Sequence, residues 1–119
     1  MKVLIVEDSV ITALHLQMLV SHNNMEVLAS LVEAELVEDQ ARQGQPDLIL
    51  MDIMLKGDMT GLEAAREVRK FSPVPIIFLS ALTDEESIAQ IQAVSNSQRL
   101  TKPFQDNELL ELISNASTN

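Results

Sequence analysis

Three stretches of this 119-residue chain carry a nearly unbroken run of apolar side chains: "KVLIV" at 2–6, "DLILMD" at 47–52 and "VPIIFLS" at 74–80. A strand with one wet face alternates polar and apolar residues, because successive side chains point to opposite sides. These runs do not alternate. They read as strands covered on both faces, the pattern of a parallel sheet held between two layers of helices. "EVLAS" at 26–30 and "QRLT" at 98–101 read as weaker strands.

Helical signals fill the gaps. Val10, Leu14 and Met18, with Ile11, form an apolar stripe at helical spacing, and Ser9 or Asp8 is placed to cap it. Val32, Leu36 and Val37 mark a second helix, closed by Gly44 and Pro46. Thr60 and Glu63 have capping-box spacing before a third helix that reaches about Phe71, and Thr83 and Glu86 repeat that spacing before a fourth. In the fourth, Ile88, Ile91 and Ala93 or Val94 are expected to face inward, while Leu109, Leu110, Leu112 and Ile113 supply a fifth helix. Strand then helix, five times over, predicts a single α/β domain over residues 1–119, with a mostly parallel sheet and right-handed crossovers. The polar end "SNASTN" at 114–119 reads as a frayed tail or the start of a linker.

Composition narrows the function classes. Apolar residues make up 46% of the chain, enough for a real core at this length. Eight Lys and Arg stand against 18 Asp and Glu, a net charge of −10. Such a surface repels nucleic acid and anionic membranes and favours cations or basic partners, although it also serves plain solubility. There is no cysteine, so disulfides and thiolate metal sites are excluded and a reducing, cytoplasmic setting fits. The apolar run after Lys2 is broken by Glu7 and Asp8, too short for a signal peptide core or a membrane span.

Asp52 is the residue that stands out, because Leu50, Met51, Ile53 and Met54 flank it. Burying an unpaired carboxylate costs several kcal/mol or makes it take up a proton. A parallel sheet supplies partners, since its strands deliver their carboxyl ends to one edge, where such folds bind ligands. The first strand ends in Glu7 and Asp8, the third in Asp52 and the fourth in Ser80; the fifth runs into Thr101, Lys102 and Pro103. Clustered carboxylates repel one another, and a hard divalent cation such as Mg²⁺ resolves this with oxygen ligands. Cation, ammonium and hydroxyl together are what stabilises the oxygens of a phosphoryl group in transfer, with Asp52 as the nucleophile. Taken singly, the bland readings hold: Glu7 and Asp8 as a helix start or solvated turn, Ser80 as a turn residue, Lys102 as a loop lysine. The joint placement at four of five strand ends is what points to a site.

"VLIVEDS", "PDLILMDIML", "GLEAAREVR", "PIIFLSA" and "LTKPF" together resemble the receiver domain of two-component response regulators, over nearly the whole chain. The resemblance implies a flavodoxin-like, doubly wound (βα)5 fold with strand order 2-1-3-4-5. It implies a phosphoryl group passed from a phosphohistidine, on a sensor histidine kinase or a histidine phosphotransfer protein, to Asp52. Glu7, Asp8, Asp52 and the backbone carbonyl of Met54 would hold Mg²⁺, with Mn²⁺ able to take its place. Ser80 would be the switch hydroxyl, Lys102 would pair with the phosphoryl oxygens, and the Lys102–Pro103 bond would be cis. The reading is a signalling switch that acts chemically only on itself, with no direct nucleic-acid or membrane binding, room for a homodimer, and an unspecified output domain or target. A DNA-binding output would need more chain than this, so the expectation is a stand-alone regulator or a receiver from a larger protein.

Three departures from the family pattern matter. Arg99 stands where an aromatic switch residue is usual, and is expected to stay exposed or to pair with an acidic group. Lys56 replaces a common proline. The stretch 93–98 lacks the usual Gly-Ala step before the fifth strand. Two other functions compete: a receiver-fold interaction module that signals without phosphorylation, and an α/β phosphohydrolase. The second has no second acid two residues after Asp52 and no chain for a cap.

Overall fold

Five parallel strands form one sheet in the order β2-β1-β3-β4-β5. They are β1 (Lys2–Val6), β2 (Glu26–Leu31), β3 (Leu48–Asp52), β4 (Ile76–Ser80) and β5 (Ser97–Thr101), and they alternate with α1 (Val10–His22), α2 (Val37–Gly44), α3 (Gly61–Arg69), α4 (Glu85–Gln92) and α5 (Asp106–Ser117). A 3-10 turn, Ala34–Leu36, leads into α2. The computed structural model describes residues 1–55, 57–81 and 84–117. Lys56, Thr83 and the last two residues of the predicted tail lie outside the described residues.

The three apolar runs are the three central strands. Every residue of β3 and β4 is buried, and so are the last four of β1. Alternate residues feed two separate cores. Leu4, Val6, Ile49, Met51, Ile76 and Phe78 pack with Val37 of α2, Leu62 and Val68 of α3, and Ile91 of α4. Val3, Ile5, Leu48, Leu50, Ile77 and Leu79 pack with Leu16 and Leu19 of α1 and Leu109 and Ile113 of α5. Burial of this kind stabilises by about 25 cal/mol per Å² of apolar surface, and it fixes the sheet between α1/α5 on one side and α2/α3/α4 on the other.

Local signals account for most helix starts. Ser9 caps α1, its hydroxyl accepting from Thr12 N. Thr60 and Glu63 form the full capping box: Thr60 Oγ1 accepts from Glu63 N (3.2 Å), and Glu63 Oε1 accepts from Thr60 N (2.9 Å). The α3 helix ends at Arg69, short of Phe71. For α4 the cap is Asp84, whose carboxylate accepts from Ser87 N, and the helix begins at Glu85. The polar 114–117 stretch is helical, as the last turn of α5, rather than frayed. Where a Gly-Ala step is missing, Asn96 takes the left-handed conformation (φ 52) that a glycine would adopt freely.

The expected buried face of α1 is overturned. The stripe of Val10, Ile11, Leu14 and Met18 faces solvent, with Ile11 82% exposed, while Ala13, Leu16, Leu19 and Val20 are buried. Both sets have helical spacing, because α1 is apolar on nearly every side. The face that packs on the sheet is the one carrying Leu16, Leu19 and Val20, which cluster with Val3, Ile5, Leu48 and Leu50. Val32 and Leu36 are exposed as well: Val32 precedes the 3-10 turn, Leu36 ends it, and the α2 core contact falls to Val37.

Candidate functional site

The sheet edge at the strand carboxyl ends gathers the predicted groups. Asp52 is the last residue of β3 and is only 6% exposed. Its neighbour in the ladder is Leu79, one residue before Ser80, the buried end of β4. Ser80 in turn lies opposite Thr101, the end of β5, and its carbonyl accepts from Lys102 N (2.8 Å). This bond holds the Lys102 backbone at the sheet edge, and the Lys102–Pro103 peptide that follows is cis. Its Nζ lies 2.7 Å from Glu7 Oε1 and 3.0 Å from Asp52 Oδ2.

Glu7 is fully buried, immediately beyond the end of β1. Its backbone N–H donates to Leu31 O (2.9 Å) and its Oε2 accepts from Ser9 N (3.3 Å), so both strand β2 and the start of α1 fix it. Burial pushes the Glu7 carboxyl up to about 7; the hydrogen bond with Asp52 adds to this, and Lys102 opposes it. Lys102 shifts the other way. Burial pulls the ammonium down, but the two carboxylates outweigh that and raise it above its usual value. Two carboxylates thus share one ammonium in a site with little water, which leaves room for one further positive charge.

Asp8 completes the acidic group. It is half-buried, and one carboxylate oxygen from each of Glu7, Asp8 and Asp52 lies within 4.8 Å of the others. Such hard oxygen donors, converging at an incompletely neutralised spot, suit Mg²⁺. Met54 lies beside them: its N–H donates to Asp52 Oδ1 (3.1 Å), which holds both the carboxylate and the start of the β3–α3 loop. Met54 is 63% exposed, and its side chain contributes nothing to the core.

Two features of the site escape a reading of residue types. Gly61 opens α3 directly under the loop, and a Cβ there would lie 2.1 Å from Asp52 O and 3.0 Å from Asp52 C. Only glycine permits α3 to start this close to the Asp52 backbone, and Gly61 N also donates to Ile53 O (3.0 Å). The second is a cleft beside Lys102, walled by Thr12, His15, Ala81, Pro103 and Phe104. His15 is stacked on Phe104 and lies 2.7 Å from Asp106 Oδ1, tying α1 to the start of α5 at the mouth. Helical spacing places Thr12 and His15 on one turn, but nothing in the sequence says that this turn meets Phe104.

Arg99 differs from its expectation. It is half-buried, and its Nη1 donates to Thr101 Oγ1 (2.9 Å), a hydroxyl on its own strand rather than a carboxylate. Residues 97, 99 and 101 share one face of β5, and Ser97 bonds to the carbonyls of Ile91 and Val94 at the end of α4. That face is therefore the one beneath α4.

Comparison with known proteins agrees with the geometry. A family model described as the response regulator receiver domain matches residues 3–114. The chain belongs to the response regulator receiver family. Among curated relatives, it is 32% identical over 108 residues to a protein-glutamate methylesterase/protein-glutamine glutaminase of Idiomarina loihiensis, covering 88% of this chain and 28% of the relative. It is 38% identical over 69 residues to the DNA-binding response regulator MtrA of Mycobacterium leprae, covering 58% of this chain and 30% of the relative. The chain thus spans less than a third of the length of these relatives. Among solved structures, the receiver domain of a modulated diguanylate cyclase from Desulfovibrio desulfuricans is 31% identical with a TM-score of 0.87, covering 97% of this chain and 91% of that one. The response regulator domain of Thermotoga maritima CheB is 26% identical with a TM-score of 0.86, covering 100% of this chain and 97% of that one. The flavodoxin-like fold with order 2-1-3-4-5 is therefore the family's own. No helix among the described residues is long and apolar enough to cross a membrane.

Proposed function

We propose that this receiver domain accepts a phosphoryl group on Asp52 from a phosphohistidine and acts as a signalling switch rather than as an enzyme on a free substrate. The observation that carries this is the shared ammonium: Lys102 Nζ lies between Glu7 and Asp52 at 2.7 and 3.0 Å, beside a third carboxylate, Asp8. Glu7, Asp8, Asp52 and the Met54 carbonyl would hold Mg²⁺, or Mn²⁺ in its place. When bound, the cation supplies positive charge next to the transferring oxygens.

The protein's own residues do the rest. An Asp52 carboxylate oxygen attacks phosphorus, the donor's N–P bond breaks with its electron pair passing to nitrogen, and the ring, already protonated on its other nitrogen, leaves as neutral imidazole. Lys102 leaves its pairing with the carboxylates to meet phosphoryl oxygens, and the Ser80 hydroxyl, one ladder step from Asp52, donates to another. Later attack by water on the same phosphorus releases phosphate and restores Asp52. The phosphorylated state makes contacts that the free state lacks, and that difference biases the domain toward a second conformer. Arg99, held by Thr101 beneath α4, replaces the family's aromatic switch on the face through which that bias leaves the site. The donor is a sensor histidine kinase or a histidine phosphotransfer protein. The output is a further domain or a target protein, self-association is a route for it, and the setting is cytoplasmic.

Incubation with acetyl phosphate and Mg²⁺, followed by intact-protein mass measurement, tests the reading. One added phosphoryl group per chain is expected, abolished by Asp52→Asn and by chelation. Labelling that survives Asp52→Asn defeats it.

A further inference from the structure

The loop after Asp52 must do two things: carry Met54 past the nucleophile, and return to α3 at Gly61. Both ends are fixed by bonds already described, Met54 N on Asp52 Oδ1 and Gly61 N on Ile53 O. The middle is held from elsewhere. Met59 N donates to Glu35 Oε1 at 3.1 Å, across 24 residues of sequence. A Cβ on Gly57, which has φ 101, would come within 2.9 Å of Glu35 Oε2 and 3.1 Å of Oε1. The carboxylate therefore fills the space that a Cβ on Gly57 would take, while it accepts the Met59 amide. Glu35 itself is exposed, yet it sits in the 3-10 turn between Ala34 and Val37, which are 1% and 0% exposed. An anchored turn thus presents a carboxylate to residues 57–59 of the loop.

We propose that Glu35 is a positioning residue: by holding residues 57–59 it sets the shape of the loop that presents the Met54 carbonyl, and through it the divalent-cation affinity of the acidic site. This rests on the reading of that site given above. It also makes the crossover between β2 and α2 a place from which cation binding is tuned, although none of its residues touches the cation. Glutamate suits this role better than aspartate, because the side chain must span from the turn to the neighbouring loop. A full charge is not required, since an amide oxygen accepts from an N–H equally well in direction.

Glu35 also adds to the negative field of the protein, and the test must separate that from positioning. Mn²⁺ binding is measured by electron paramagnetic resonance at fixed ionic strength for wild type, Glu35→Ala, Glu35→Gln and Asp39→Asn, the last an exposed charge on α2. Loss of the bond in Glu35→Ala is expected to weaken Mn²⁺ binding about threefold to tenfold. Glu35→Gln, which keeps an acceptor, and Asp39→Asn, which only removes charge, are expected to stay within about twofold of wild type. Amide exchange at residues 57–59 is expected to accelerate in Glu35→Ala alone. Equal affinities in Glu35→Ala and Asp39→Asn overturn the proposal, as does unchanged exchange at 57–59. If wild type binds no Mn²⁺, the reading of the acidic site fails instead, and the exchange data alone decide whether Glu35 holds the loop.

Discussion

Replacing Lys102 with methionine keeps most of the length of the side chain and removes the ammonium that, among the described residues, Glu7 and Asp52 share. The structure sets the size and the pH dependence of the effect. Glu7 is fully buried, Asp52 is 6% exposed, and the Lys102 side chain is 26% exposed. Removing one partner of a fully buried ion pair costs about 3–5 kcal/mol; partial exposure of Lys102 reduces this to about 1.5–3 kcal/mol at pH 8. The sign follows from Glu7. Its folded-state value of about 7 stands above the ordinary 4.5, so the folded protein binds that proton more tightly than the unfolded chain. Stability from this group is fully present below about 4.5 and is lost as pH rises through about 7. Without Lys102, which opposes the rise, the carboxyl moves further up and holds its proton longer. The lysine's own titration is above its usual value and does not enter between pH 5.5 and pH 8. At pH 5.5 a protonated Glu7 donates to Asp52 in either protein, and the difference shrinks below about 1 kcal/mol. At roughly 3–6 °C per kcal/mol for a domain of this size, Lys102→Met lowers Tm by roughly 5–15 °C at pH 8 and by a few degrees at pH 5.5. The chain has no Trp or Tyr, so melting is followed by far-ultraviolet circular dichroism. A loss of stability that is equal at the two pH values, or larger at pH 5.5, refutes the shared-ammonium account.

Other outcomes follow from the same geometry. Gly61→Ala forces a Cβ to 2.1 Å from Asp52 O; it is expected to cost about 1–3 kcal/mol in chemical denaturation and to weaken Mn²⁺ binding, while unchanged binding would show that the loop yields without disturbing the site. The orientation of α1 is checked by a pair of variants: Leu16→Ala should cost about 2–5 kcal/mol, and Ile11→Ser within about 0.5 kcal/mol. The reverse ranking would restore the face that the sequence suggested. On the proposed reading Glu7 holds the cation as a carboxylate, so Mg²⁺ affinity measured by calorimetry should rise with pH up to about 7 and then level off; affinity independent of pH between 5.5 and 8 would remove Glu7 from the cation site.

The three central strands were legible because burial on both faces leaves a strong mark in sequence, and they lie within two residues of the apolar runs; the half-buried edge strands β2 and β5 lie within one residue of the weaker readings. Glu7, Asp8, Asp52, Ser80 and Lys102 were legible for the same reason: a polar group that closes an apolar run sits at a strand end, and the parallel topology carries those ends to one edge. The orientation of α1 was not, since Val10, Ile11, Leu14 and Met18 and the buried Leu16 face satisfy one helical period equally well. Apolar spacing reports that a helix has a buried face, and an all-round apolar helix reports it more than once. Gly61 and Glu35 were illegible for a different reason. Their roles depend on a backbone carbonyl and a backbone amide contributed by other segments, and side-chain identity does not encode those. Arg99 stood out as a departure, but its partner Thr101 is a hydroxyl on the same strand, too ordinary a residue to signal the bond.

The central claim is that the carboxylate at the end of β3 is the phosphoryl acceptor. Borohydride reduces an aspartyl phosphate to homoserine, so treating the acetyl phosphate-loaded protein and mapping its peptides locates the acceptor residue by residue. The account predicts homoserine at position 52, in amounts that fall with chelation. Homoserine at Asp8, or at any aspartate other than Asp52, would contradict it.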